Sequence, residues 1–198
     1  MIRLSTADAS FTTDFAALVD ARRESDADVT RDVTTILRSV RDEGDAALKA
    51  FTLKLDRHDL DASGWSIPLS ECAAAFGGLD PALREALELA AARIRAYHEK
   101  QRPEDTAFTD DAGVRLGARW RAVDAAGIYV PGGRAAYPST LLMNAIPAKV
   151  AGVERLVVVT PTPDGIVNPL VLAAAHLAGA DEVWPVSYTH LRAHETRG

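Results

Sequence analysis

The stretch from Gly127 to Val186 constrains the fold most. Three short apolar runs, "GIYV", "RLVVV" and "DEVWPV", alternate with two helical segments, "PSTLLMNAIPAKVAGV" and "NPLVLAAAHLAGA". A β-branched run such as Leu156–Val159, bounded by prolines, reads as a buried strand, because parallel strands covered by crossover helices lose the polar alternation of a half-exposed strand. The order β-α-β-α-β at such short spacing predicts half of a doubly wound parallel sheet. The third strand, with nothing after it to complete the sheet, is expected to form an edge. Ser139 or Thr140 is the expected cap of the first crossover helix. Pro147 within that helix predicts a kink or a break, since it lacks the N–H for the i−4 bond. Gly179 ends the second helix.

The residues before this stretch read as helices. Val29, Val33, Ile36 and Val40 form an apolar stripe at helical spacing. Gly44 is the expected stop, Asp45 the cap of the next helix, and Leu48, Phe51 and Leu55 continue the apolar face. Further on, Asp80 and Pro81 sit at the cap and first position of a helix whose core side is expected at Leu83, Leu87, Ala90, Ile94 and Tyr97, ending at Pro103. After Pro103 the pattern shifts to alternation in "VRLGARWRAV", which suggests strands. The whole is expected to be an α/β protein. Residues 1–121 form a mainly helical region, 122–186 a partial Rossmann-like unit, and 187–198 a separate tail.

Composition narrows the function. Over 198 residues, 47% are hydrophobic and 25% charged, which supports a packed core. The net charge of −6 argues against nucleic acid or an anionic membrane as main partner. No apolar run is long enough to span a bilayer and no signal peptide precedes the helices. The single cysteine, Cys72, reads as a small core residue in a reducing compartment. A cytoplasmic location is expected. His58 and His98, among charged residues near helix ends, are expected to be solvated or capping, and His176 packed or partly exposed.

The segment "GIYVPGGRAAYPST" carries the chemistry. A strand ends near Val130, Pro131-Gly132-Gly133 forms a tight loop, and a helix follows. Glycine allows close approach of a ligand to the backbone, and a helix start offers free N–H groups with partial positive charge. Ligands of open parallel sheets bind at the carboxyl ends of strands. A nucleotide phosphate suits this loop, although a glycine pair in a βα turn also serves as a plain turn. Tyr129 could offer its ring to a base or its hydroxyl to a ribose, or be one more strand aromatic.

The segment Gly127–Val153 resembles the central segment of the histidinol dehydrogenase family. The resemblance extends back through "VRDEGDAAL", Leu55-Asp56 and "RIRAYHEKQ", and forward through "VVVTPTPDG" and "GADEVWPV". It implies an enzyme that oxidises L-histidinol to L-histidine with two NAD molecules through a bound aldehyde. It also implies one zinc per active site, a homodimer, and a histidine–glutamate acid–base pair. The family's cofactor tyrosine falls on Tyr129, with Pro131, Gly132 and Gly133 completing the loop. The family's zinc ligands and acid–base pair lie in its later half, so no catalytic or metal-binding residue is expected in this chain, and the chain itself is expected to be inactive. A stand-alone nucleotide-binding or interaction module is the alternative.

The chain closes with "SYTHLRAHETRG". His190 and His194 have a spacing that places two imidazoles on one helix face, beside Glu195. A zinc site needs a third protein ligand, and none is arranged nearby. The family instead continues after Val186 with a Gly-Gly-Ala-Gln-Ala stretch whose glutamine touches the cofactor, and His190 falls at that glutamine. Residues 187–198 therefore resemble non-native read-through rather than a metal site.

Overall fold

In a computed structural model, residues 4–131 and 137–186 are described, with the backbone alone at 19–29. The chain divides into two compact units, Met1–Leu48 and Lys49–Tyr188. The first consists mainly of α1 (Phe11–Glu43), in which Val33 and Ile36 of the apolar stripe are buried. Gly44 stops it as expected. At φ 59° and ψ −132° it adopts a conformation that a Cβ would strain, and its N–H donates to Val40 O at 2.9 Å. Asp45 does not cap the next helix. It is the first residue of α2 (Asp45–Asp56), and Gly44 O accepts from Leu48 N at 3.2 Å.

In the second unit α2 turns through Arg57–Asp59 into a single-turn helix, α3 (Leu60–Ser63), followed by α4 (Leu69–Gly77) and α5 (Pro81–Glu99). The buried residues of α2 are Ala47, Thr52 and Asp56, while Leu55 is exposed. Asp80 caps α5 by accepting from Ala82 N at 2.9 Å, with Pro81 at the first position. The stripe of α5 is narrower than its spacing suggests. Leu87 and Ala91 are buried, Ala90 and Ile94 pack against the core, but Leu83 and Tyr97 at the two ends are exposed. The helix ends at Glu99, before Pro103.

An exposed antiparallel hairpin follows, β1 (Thr106–Thr109) with β2 (Arg115–Ala118), in register Phe108↔Leu116. The first of these strands had no alternation long enough to reveal it. The remaining elements are β3 (Ala125–Tyr129), α6 (Pro138–Ala151), β4 (Arg155–Thr160), α7 (Pro169–Ala178) and β5 (Glu182–Pro185). The three strands pair in parallel in the order β3-β4-β5, registered by Ile128↔Val158 and Val158↔Val183. This is the α/β architecture the sequence predicts. Helix α6 begins at Pro138, so Ser139 and Thr140 lie inside its first turn instead of capping it. Pro147 does not break it, since it runs on to Ala151. Proline here gives up one internal bond, and the packed neighbours Ile146 and Ala145, both 0% exposed, hold the helix together across it. Gly179 ends α7 in the left-handed region, at φ 75°.

Alternation along the strands sorts the sheet into two faces. Ile128, Val130, Leu156, Val158 and Val183 are buried with Leu141, Ile146, Val171 and Ala175 of the helices in one core. Tyr129, Val157, Val159 and Trp184 point to the other face and are half-buried. β5 is an edge, as expected, but it is not bare: Ile67 N donates to Val183 O at 2.8 Å, so the chain ahead of α4 lies along it.

At the amino edge Asp181 joins three segments. Its Oδ2 accepts from Lys149 Nζ at 2.6 Å and from Leu156 N at 2.6 Å. The Lys149 hydrogen bond, helped by the Leu156 N–H and opposed by burial, holds the Asp181 carboxyl below its ordinary value of 3.8. A depressed carboxylate contributes stability above the unfolded-state value, and that contribution is lost as pH falls below 3.8 through the folded-state value. Asp181→Asn is expected to lower stability at pH 7 by about 1 kcal/mol, a modest figure because the carboxylate is 43% exposed. Thermal unfolding followed from neutral pH into acid should show a shallower acid decline for the variant, and parallel profiles would remove this role from Asp181.

Candidate functional site

The carboxyl ends of β3, β4 and β5 meet on one edge of the sheet, and the candidate residues lie there. Tyr129 closes β3, paired with Val159 of β4, and Val130 N extends the ladder by donating to Val159 O at 2.9 Å. Pro131 follows, half-buried. Gly132 and Gly133, the other two expected cofactor contacts, lie outside the described residues. Tyr129 and Val130 point to opposite faces, so the phenol stands on the half-buried face and not on the side of α6.

Further along, α6 opens with Tyr137 at the N-cap position, whose side chain makes no capping hydrogen bond. The helices α3, α5 and α7 are each capped, by Asp59, Asp80 and Asn168. Pro138 at the first position needs no N–H partner, and the N–H groups that follow it give this end of α6 a partial positive charge. These residues fit the phosphate end of a dinucleotide, with Tyr129 at the adjoining strand end.

Zinc is not matched in the same way. Among the described residues no group of three or more His, Cys, Asp or Glu side chains could hold a metal ion. His190, His194 and Glu195 lie outside the described residues. Cys72 is fully buried in α4, as expected, and burial raises its thiol pKa, which keeps it protonated and inert. His176 is exposed on α7 with its ring 5.4 Å from that of Phe76. His98 is half-buried in the last turn of α5. It lines a cavity of about 680 Å³ with Arg102, Trp120, Arg121 and Pro147, at the amino edge of the sheet and away from Tyr129.

His58 departs from expectation. It is 7% exposed, with Nδ1 against Thr162 Oγ1 and Nε2 against Ser63 Oγ. Next to it, Arg57 Nε and a terminal guanidinium nitrogen donate to Asp164 Oδ1 and Oδ2 at 2.6 and 2.7 Å. That hydrogen bond, with the opposite charge, holds the Asp164 carboxyl below its ordinary value. Local polarity around His58 suggests solvent, but its partner lies 104 residues away, and no local pattern reports that meeting.

A three-stranded parallel sheet with crossover helices, the end of β3 and the start of α6 lying on its carboxyl edge, defines an open-sheet α/β protein. The histidinol dehydrogenase family model matches residues 19–189. The chain is 55% identical over 186 residues to histidinol dehydrogenase of Zymomonas mobilis subsp. mobilis, covering 94% of this chain and 43% of that protein. It is 55% identical over 185 residues to the histidinol dehydrogenase of Rhodospirillum rubrum, again covering 43% of the relative. The crystal structure of histidinol dehydrogenase from Elizabethkingia anophelis superposes with a TM-score of 0.74 at 30% identity, over 81% of this chain and 37% of that one. This chain belongs to the histidinol dehydrogenase family. It spans less than half the length of the relatives it matches. Among the described residues no helix is long and apolar enough to cross a membrane.

Proposed function

We propose that the chain is the N-terminal part of an NAD-dependent, zinc-requiring L-histidinol dehydrogenase, acting as a cytoplasmic homodimer in the last step of histidine biosynthesis. Membership of the family at 55% identity carries this reading. Oxidation of a primary alcohol to a carboxylate removes four electrons. NAD, when bound, takes up a hydride, so two NAD molecules serve each turnover and water supplies the second oxygen. What this half contributes is binding. The first-turn N–H groups of α6 receive phosphate oxygens, Pro131, Gly132 and Gly133 let the backbone approach the dinucleotide, and Tyr129 meets it with ring or hydroxyl. The described residues hold no zinc donor set, and no step is assigned to the metal here. Neither nucleic acid nor a membrane enters the reading.

The test is Tyr129→Ala in the complete enzyme. The KM for NAD should rise, and that for histidinol should move less. Loss of one stacking or hydroxyl contact corresponds to about 1–2 kcal/mol. An unchanged dependence on NAD would return Tyr129 to the role of a strand aromatic.

A further inference from the structure

Two short segments meet over the end of β4: Arg57–Ser63, which is the turn after α2 together with α3, and the turn Thr162–Gly165 between β4 and α7. Three observations converge there. The imidazole of His58 is buried between the two segments and hydrogen-bonded at both nitrogens. Arg57 and Asp164 form a two-pronged ion pair across the same junction. Among the described residues, these two are also the non-glycine residues with positive φ, 55° and 58°. Such backbone costs free energy and persists where surrounding contacts over-determine it, often beside functional sites.

Ser63 Oγ donates to Asp59 O at 2.9 Å, so its oxygen accepts from His58 Nε2–H. Nδ1 faces the Thr162 hydroxyl across the other hydrogen bond. Thr162 is itself fully buried, and its carbonyl accepts from Gly165 N at 2.8 Å. The Arg57–Asp164 pair adds little global stability, because its side chains are 66% and 57% exposed. Its two-pronged geometry instead fixes direction. A device with a buried anchor, a directional brace and strained backbone on each side is more than core packing requires.

We infer that His58, Thr162 and the Arg57–Asp164 pair form a clasp that positions the β4–α7 turn at the carboxyl edge of the sheet for the dinucleotide. The clasp residues are positioning residues, acting through the turn that follows β4, the strand paired with β3. This inference rests on the NAD reading above. The complete enzyme is tested as wild type, His58→Ala, Thr162→Val and Thr162→Ser. Thr162→Val keeps the side-chain shape and removes the hydroxyl, and Thr162→Ser restores it.

Two readouts are taken. Amide hydrogen exchange at Gly165 and Ile166 reports the turn, and steady-state kinetics report KM and kcat. Expected is faster exchange in His58→Ala and Thr162→Val, with the KM for NAD raised about tenfold and kcat within about twofold, and Thr162→Ser near wild type on both. Unchanged exchange overturns the clasp. Faster exchange with an unmoved KM, or a KM rise that Thr162→Ser does not reverse, overturns the positioning role. A wild-type enzyme without NAD-dependent turnover overturns the functional reading and this inference together, whereas an active wild type with unaffected variants overturns this inference alone.

Discussion

Given saturating NAD and L-histidinol, with or without added zinc, the 198-residue chain is expected to form no NADH above the buffer background. The complete enzyme assayed in parallel should turn over, a difference of about six orders of magnitude or more. Hydride transfer requires the alcohol carbon to be held against the cofactor in one geometry, with a base placed to take the hydroxyl proton. The described carboxyl edge offers Tyr129, Pro131 and the start of α6, to which the proposed reading assigns the binding of one partner of that encounter. The histidines of the described chain stand elsewhere: His58 is committed to Thr162 and Ser63, and His98 and His176 lie on α5 and α7. The resemblance places the acid–base pair beyond Val186. Turnover by the isolated chain would put the chemistry in this half and overturn that assignment. Zinc bound at defined stoichiometry by the full chain, but not by residues Met1–Val186, would restore His190 and His194 as ligands.

Leu156→Ala is expected to have the largest effect on stability, a loss of about 3–4 kcal/mol. Leu156 is 0% exposed on the central strand, in one core with Leu141, Ile146, Val158 and Val183. Shortening it removes apolar contact and leaves a cavity whose walls, strand and helix together, cannot collapse without breaking the ladder. The melting temperature of the unit should fall by roughly 8–15 °C. Leu53→Ala is the comparison. Leu53 sits 49% exposed on α2, and its loss should stay within about 0.5 kcal/mol. Equal shifts for the two would mean that the packing around β4 is looser than its burial indicates.

Much of the architecture was legible because it is written in local patterns. The run Leu156–Val159 reads as a covered strand without knowledge of its neighbours, and Asp80-Pro81 and Gly44 act within a turn of where they stand. Those readings hold in the structure. The expected cap at Ser139 or Thr140 and the expected kink or break at Pro147 were also local; tertiary context overrode the cap, and α6 is not broken at Pro147. Proline at 138 is better suited to the first helical position than either hydroxyl residue behind it, and packing of Ala145 and Ile146 carries α6 through Pro147. Exposure at the ends of the α5 stripe has the same origin. Period marks which side faces inward, but only the neighbouring elements decide how far along the helix that side is covered.

The candidate site divides in the same way. The sequence by itself determined the strand that ends at Tyr129 and the helix that follows it, since each rests on neighbouring residues. Only the tertiary structure decided that Tyr129 faces away from α6, that Ile67 lies along β5, and that His58 is buried against Thr162 with Arg57 braced on Asp164. Side chains 104 and 107 residues apart meet because the sheet brings the end of β4 beneath the turn after α2. Polar groups record no such appointment in sequence: a histidine among charges looks the same in solvent as in a pocket until the partner that satisfies its nitrogens is in place.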